Sequence, residues 1–122
     1  MGKKILVVDD EPMLCEILRD FLEMDHFEVQ QSCNGRQAFE MICKEHFDCV
    51  ISDVRMPNGD GTELAQKIFA MDNPKPKVFL TTGFSEISEE QAAAIGVVKV
   101  LQKPFVYDQL LSSVRKVLVT RV

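Results

Sequence analysis

The hydrophobic period of this sequence switches back and forth five times, and that alternation restricts the fold more than any other feature. A strand is expected over residues 4–8, where Ile5-Leu6-Val7-Val8 follow a lysine; an unbroken apolar run is the pattern of a strand buried on both faces. Asp9, Asp10 and Glu11 end it, and Pro12 suits the first turn of a helix, where its missing N–H costs nothing. Leu14, Ile17, Leu18, Phe21 and Leu22 then recur at helical spacing. The exchange repeats. Phe27 to Ser32 reads as a weaker strand, and Asn34 with Gln37 as a capping box that opens a helix with Ala38, Phe39, Ile42 and Cys43 inward. Cys49 to Ser52 is a third strand, followed by a box-like Asp60/Glu63 start and the stripe Leu64, Ala65, Ile68 and Phe69. After the rigid loop Asn73-Pro74-Lys75-Pro76 comes a strand from Val78 to Thr82, then a short helix capped by Ser88 and Gln91 and ending near Gly96. Val97 to Leu101 is the fifth strand, and Tyr107, Leu110, Leu111, Val114, Val117 and Leu118 mark a last helix.

Strands alternating with helices of this length require right-handed crossovers and a parallel sheet covered on both faces. The fold class is therefore α/β, a three-layer (βα)5 sandwich. Five strands in this pattern suit the flavodoxin-like order 2-1-3-4-5, whose switch point lies between strands 1 and 3. A length of 122 residues is that of one domain, with one core and little room for a second module. The net charge of −5 argues against non-specific contact with nucleic acid or anionic membrane. No apolar run approaches the roughly 20 residues of a membrane span. The apolar stretch after Lys3-Lys4 is too short for a signal peptide, and Leu6 breaks the myristoylation pattern that Gly2 would open. Cys15, Cys33, Cys43 and Cys49 contain no C-x-x-C pair and are read as reduced, packed thiols of a cytoplasmic protein. A zinc site would need tighter spacing, with His26 or His46 as a further ligand.

The topology has a chemical consequence. The third apolar run ends on Asp53, just before Val54-Arg55-Met56-Pro57 and the turn-forming Asn58-Gly59. In order 2-1-3-4-5 the end of strand 1, with Asp9 and Asp10, lies beside it. In open α/β sheets that carboxyl rim is where ligands bind. Acids after a strand also suit the dipole of a following helix, and an Asp before Met-Pro also suits a turn. Neither account explains why both acidic sites end apolar strands that the topology makes neighbours. Two unit charges about 4 Å apart repel by roughly 4 kcal/mol at an effective dielectric of about 20. A hard divalent cation on oxygen ligands relieves this most simply, and Mg2+ takes one or two carboxylates, waters and a phosphate oxygen. Thr81-Thr82-Gly83 closes strand 4 with hydroxyls, and Lys103-Pro104-Phe105 follows strand 5, both facing the same rim.

Taken together, these residues resemble the receiver domain of bacterial two-component response regulators. The likeness spans essentially the whole chain, so residues 1–122 are expected to form a single receiver domain. It rests on Ile5-Leu6-Val7-Val8-Asp9-Asp10-Glu11, on Asp53-Val54-Arg55-Met56-Pro57 with Asp60-Gly61, on Thr82-Gly83 and on Lys103-Pro104-Phe105. The resemblance implies that Asp53 accepts a phosphoryl group from a histidine kinase or phosphotransfer protein. It implies Mg2+ held by Asp9, Asp10, Asp53 and the backbone carbonyl of Arg55. Thr82 would bond the phosphoryl oxygen, with Thr81 as a rival, and Lys103 would pair with it across a cis Lys103-Pro104 bond. The position where the family commonly carries a rotating aromatic is Val100, which has no ring to swing. By fold analogy, an output domain or target would dock on the helix 4–strand 5–helix 5 face, with Lys99, Tyr107, Arg115 and Lys116 as contacts.

On this reading the protein is a phospho-accepting switch, not a turnover enzyme, and binds neither nucleic acid nor membrane directly. Two other readings stand beside it. A pseudo-receiver would use the fold only for docking, and would not need Asp10, Asp53, Thr82 and Lys103 together. An Asp-nucleophile phosphatase would want a general acid two residues after the nucleophile, where Arg55 stands. No output domain follows Val119-Thr120-Arg121-Val122, so the chain is either a stand-alone regulator or a piece of a longer one.

Overall fold

The computed structural model describes residues 2–56, 60–72, 74–83, 87–104 and 106–118. Pro57, Asn58, Gly59, Asn73, Phe105 and residues 119–122, all part of the expectations above, lie outside it. Ten elements alternate along the chain: β1 (Lys4–Val8), α1 (Pro12–Met24), β2 (Glu28–Ser32), α2 (Gly35–Lys44), β3 (Cys49–Asp53), α3 (Gly61–Phe69), β4 (Lys77–Thr82), α4 (Glu89–Ala94), β5 (Val97–Gln102) and α5 (Tyr107–Leu118). The strands form one sheet in the expected order β2-β1-β3-β4-β5, and every pairing is parallel, as the alternation requires.

Successive strand residues face opposite sides, and the core divides accordingly. Ile5, Val7, Cys49, Ile51 and Phe79 point to the layer shared with α1 and α5. Leu6, Val8, Val50, Leu80 and Val100 point to the layer shared with α2, α3 and α4. Pro12 opens α1, and Asn34 and Asp60 cap α2 and α3 by accepting from the N–H groups of Gln37 and Glu63. The Asn34 box is half made, because the Gln37 carboxamide turns instead to Cys33 N and the Ser32 hydroxyl. Ser88 and Gln91 cap α4 reciprocally.

Three helix stripes are corrected. In α1 the buried line is Cys15, Leu18 and Leu22, and Ile17 is half exposed at 50%. The small thiol at position 15 packs as a hydrophobe, which turns the helix away from the Leu14/Ile17 line. In α3, Leu64, Ala65 and Ile68 are buried but Phe69, one residue further around the helix, is 52% exposed. In α2, Ala38 and Ile42 are buried while Cys43 faces out. Cys33 is exposed as well, so only Cys15 and Cys49 are packed thiols. Among the described residues, no helix is long and apolar enough to cross a membrane.

Candidate functional site

The parallel pairings bring four strand ends to one rim. Val8 lies opposite Ser52, and Asp53 opposite Thr81. Asp9, Asp10 and Asp53 offer carboxylate oxygens that all lie within 4.8 Å of one another. They differ in setting: Asp9 is buried, Asp53 half-buried and Asp10 exposed. Lys103 spans the cluster, with Nζ 3.3 Å from an oxygen of Asp9 and 3.3 Å from one of Asp53. The Lys103 N–H donates to Thr82 O at 2.7 Å, which fixes where the lysine leaves β5, and the Lys103–Pro104 bond is cis.

The electrostatics follow from this geometry. Burial pushes the Asp9 carboxyl above its ordinary value, and the Asp53 charge adds to that. The Glu11 N–H and Lys103 work in the opposite direction without cancelling it. Burial works against the Lys103 charge, but Asp9 and Asp53 together outweigh it and hold the ammonium above the ordinary lysine range. One cation thus serves at least two carboxylates, leaving an excess of negative charge and a set of hard oxygen donors. That chemistry suits a small divalent cation better than a soft metal.

Strand alternation separates the two hydroxyls. Thr81 lines a small void with Asp9, Cys15 and Lys103, on the α1–α5 side. Thr82 is fully buried and falls on the opposite side, the side of Leu80 and Val100. Arg55 is exposed, at the start of the β3–α3 connection.

Two residues of the rim have a role that the sequence did not show. Ser52 is fully buried and donates its hydroxyl to Asp53 O at 3.0 Å. Gly61 approaches the same carbonyl so closely that a Cβ there would stand 2.2 Å from it. The Gly61 N–H also donates to Val54 O at 2.9 Å. Together they box in the main chain of Asp53 and clamp the connection that carries Arg55. Gly61 entered the sequence reading only as part of the Asp60-Gly61 resemblance, and a serine inside an apolar run has no periodic signature, so only three dimensions reveal how the two hold the main chain of Asp53.

Of the proposed docking residues, Lys99 and Lys116 are exposed. Arg115 is instead engaged with Asp25, just past the end of α1, through both Nε and Nη2, and the Tyr107 ring lies 5.2 Å from that of Phe21.

Comparison with known proteins agrees with this arrangement. The model of the response regulator receiver domain matches residues 5–115. The chain is 37% identical over 119 residues to the C4-dicarboxylate transport transcriptional regulatory protein DctD of Pseudomonas aeruginosa, covering 97% of this chain and 26% of that protein. It is 30% identical over 105 residues to the transcriptional regulatory protein SrrA of Staphylococcus aureus, covering 86% of this chain and 43% of that protein. The chain therefore spans less than half the length of either relative. Among solved structures, the response regulator TrrA of Thermotoga maritima, in complex with Mg2+-BeF, superposes with a TM-score of 0.85 at 32% identity, covering 95% of this chain and 99% of that one. The chain belongs to the response regulator receiver domain family of two-component systems.

Proposed function

We propose that residues 1–122 act as one receiver domain that takes a phosphoryl group onto Asp53 from a histidine kinase or phosphotransfer protein. The observation that carries this reading is the shared lysine: Lys103 Nζ sits 3.3 Å from both Asp9 and Asp53, with Asp10 in the same cluster. An oxygen of the Asp53 carboxylate attacks phosphorus, and the P–N bond to the donor imidazole breaks as the O–P bond forms. The electron pair returns to the imidazole nitrogen, which takes up a proton. Lys103 orients the Asp53 carboxylate and stays paired with the phosphoryl oxygens, since positioning and charge stabilisation are most of what this chemistry needs. Asp9, Asp10, Asp53 and the Arg55 carbonyl would hold Mg2+, which when bound neutralises phosphoryl oxygen charge. The carboxylate cluster fits such an ion, and the Mg2+-BeF complex of the Thermotoga maritima neighbour supports the assignment.

A phosphorylated side chain carries about −1.5 to −2 charges. In this reading Thr82 turns toward it from the Val100 side and Lys103 is drawn in, so that β4, α4 and β5 report the event. The domain is a phospho-accepting switch and not a turnover enzyme, it works in the cytoplasm, and its α4–β5–α5 face meets an output domain or target. Incubation with a small phosphodonor and Mg2+, followed by intact mass and peptide mapping, tests it. One phosphoryl on Asp53, absent in Asp53→Asn and with chelator, is the expected result. No adduct and no Mg2+ binding would leave a docking module. Thr82→Ala should change the lifetime of the adduct; if Thr81→Ala does so instead, the hydroxyl role belongs to Thr81.

A further inference from the structure

We propose that Cys15 and Cys33 form a redox-active thiol pair that hydrogen peroxide converts to a disulfide beside Asp9. Both thiols line one open cavity of about 190 Å3, together with Asp9, Gln31, Ser32 and Gln37. Both also flank the main chain of Asp9. Cys15 Sγ donates to Asp9 O at 3.4 Å, while Asp9 N–H donates at 3.1 Å to the carbonyl of Ser32, the residue before Cys33. Cys33 follows directly on β2, whose Val29 packs in the α1 layer and whose Gln31 meets Arg19 of α1 at 3.0 Å.

The two cysteines have complementary access. Cys33 is exposed at the mouth of the cavity, its Sγ 3.5 Å from the Gln37 carboxamide oxygen, and Cys15 is buried at the floor. Cys43 and Cys49 lie outside this cavity, on α2 and within β3.

The chemistry balances with one peroxide. Cys33 sulfur attacks a peroxide oxygen and the O–O bond breaks, giving a sulfenic acid and one water. Cys15 sulfur then attacks Cys33 sulfur, the S–S bond forms and the sulfenic oxygen leaves as a second water. Two electrons pass from the sulfur pair to the peroxide. Closure draws Cys33, just past the end of β2, inward, and takes the Cys15 S–H from Asp9 O. The carboxylate rim thereby senses the oxidation. Disulfides of reducing compartments are characteristically transient and of this sensing kind.

The test is brief treatment of the reduced full chain with hydrogen peroxide, followed by intact mass and peptide mapping. The expected result is loss of two hydrogens, a peptide joining Cys15 to Cys33, and reversal by dithiothreitol. Cys15→Ser and Cys33→Ser should each abolish the loss, and Cys43→Ser should keep it. Oxygen addition at Cys33 without a cross-link, or a cross-link between copies through Cys33 or Cys43, overturns the pair. The coupling to the site rests on the phospho-acceptor reading. The cross-linked protein should accept phosphate from a small donor more slowly than the reduced protein and recover on reduction; an unchanged rate overturns the coupling. Reduced protein that takes no phosphate at all would sink the phospho-acceptor reading and leave the thiol pair standing.

Discussion

Asp9 and Lys103 are opposite halves of one contact, yet they make stability depend on pH in different windows. The Asp9 carboxyl is pushed above its ordinary 3.8, first by burial and then by Asp53. The folded chain then holds that proton more tightly than the unfolded chain, so stability falls as pH rises from about 3.8 through the folded value. Lys103 is raised above 10.5, with the pull of Asp9 and Asp53 exceeding the cost of burial. Its contribution is fully present below 10.5 and is lost as pH rises through the folded value. In chelator, Asp9→Asn should therefore gain on the wild type as pH climbs from 4 to 7 (about three units), measured by urea denaturation. A constant difference would mean that the Asp9 proton does not distinguish the two states. Lys103→Ala should cost about 1–2 kcal/mol near neutral pH. That is less than breaking a fully buried pair, because the lysine side chain keeps 21% of its surface in water.

Elements were legible where hydrophobic period decides them and illegible where a neighbour does. The strands with unbroken apolar runs, β1 and β3, are the plainest, because a strand buried on both faces has no polar alternative, whereas the edge strand β2, Glu-Val-Gln-Gln-Ser, is legible only from its place in the alternation. The helix stripes drifted at their edges, as Ile17 and Phe69 show. Phe69 stays half exposed, yet its ring covers Gly96, and Lys75 Nζ lies 5.0 Å from the ring centroid while donating to Phe69 O at 2.8 Å. The turn between α4 and β5 depends on that arrangement. Gly96 has φ +83°, and a Cβ there would stand 2.5 Å from Phe69 Cδ1. Gly96→Ala should cost about 1–2 kcal/mol from the left-handed backbone alone, plus the clash. Adding Phe69→Ala should recover the clash and not the backbone part. If the double variant is no more stable than Gly96→Ala alone, the ring is not what the glycine accommodates.

At the scale of the molecule, a parallel sheet concentrates charge. Every strand of this one delivers its carboxyl end to the same side, so Asp9, Asp10, Asp53 and Lys103 meet although they are up to 94 residues apart. That meeting could be read from topology, whereas the Ser52–Gly61 clamp on Asp53 could not, because it depends on a close approach of main chain. The same concentration gives the apo fold an electrostatic cost at its functional end. A cation that binds the folded cluster and not the unfolded chain removes part of that cost and stabilises by mass action. At Mg2+ about a hundredfold above its dissociation constant the gain should be about 2.7 kcal/mol, seen as a rise in the urea midpoint. Sodium at matched ionic strength also screens the carboxylates but has no site of its own, so it should give a smaller rise that does not saturate. Asp53→Asn separates the effects. It relieves repulsion on Asp9, so the metal-free variant should match or exceed the wild type in stability, and it removes a proposed ligand, so the Mg2+ increment should shrink. An increment that persists unchanged in Asp53→Asn would place the ion away from the β3 terminus and detach the metal from the proposed acceptor carboxylate.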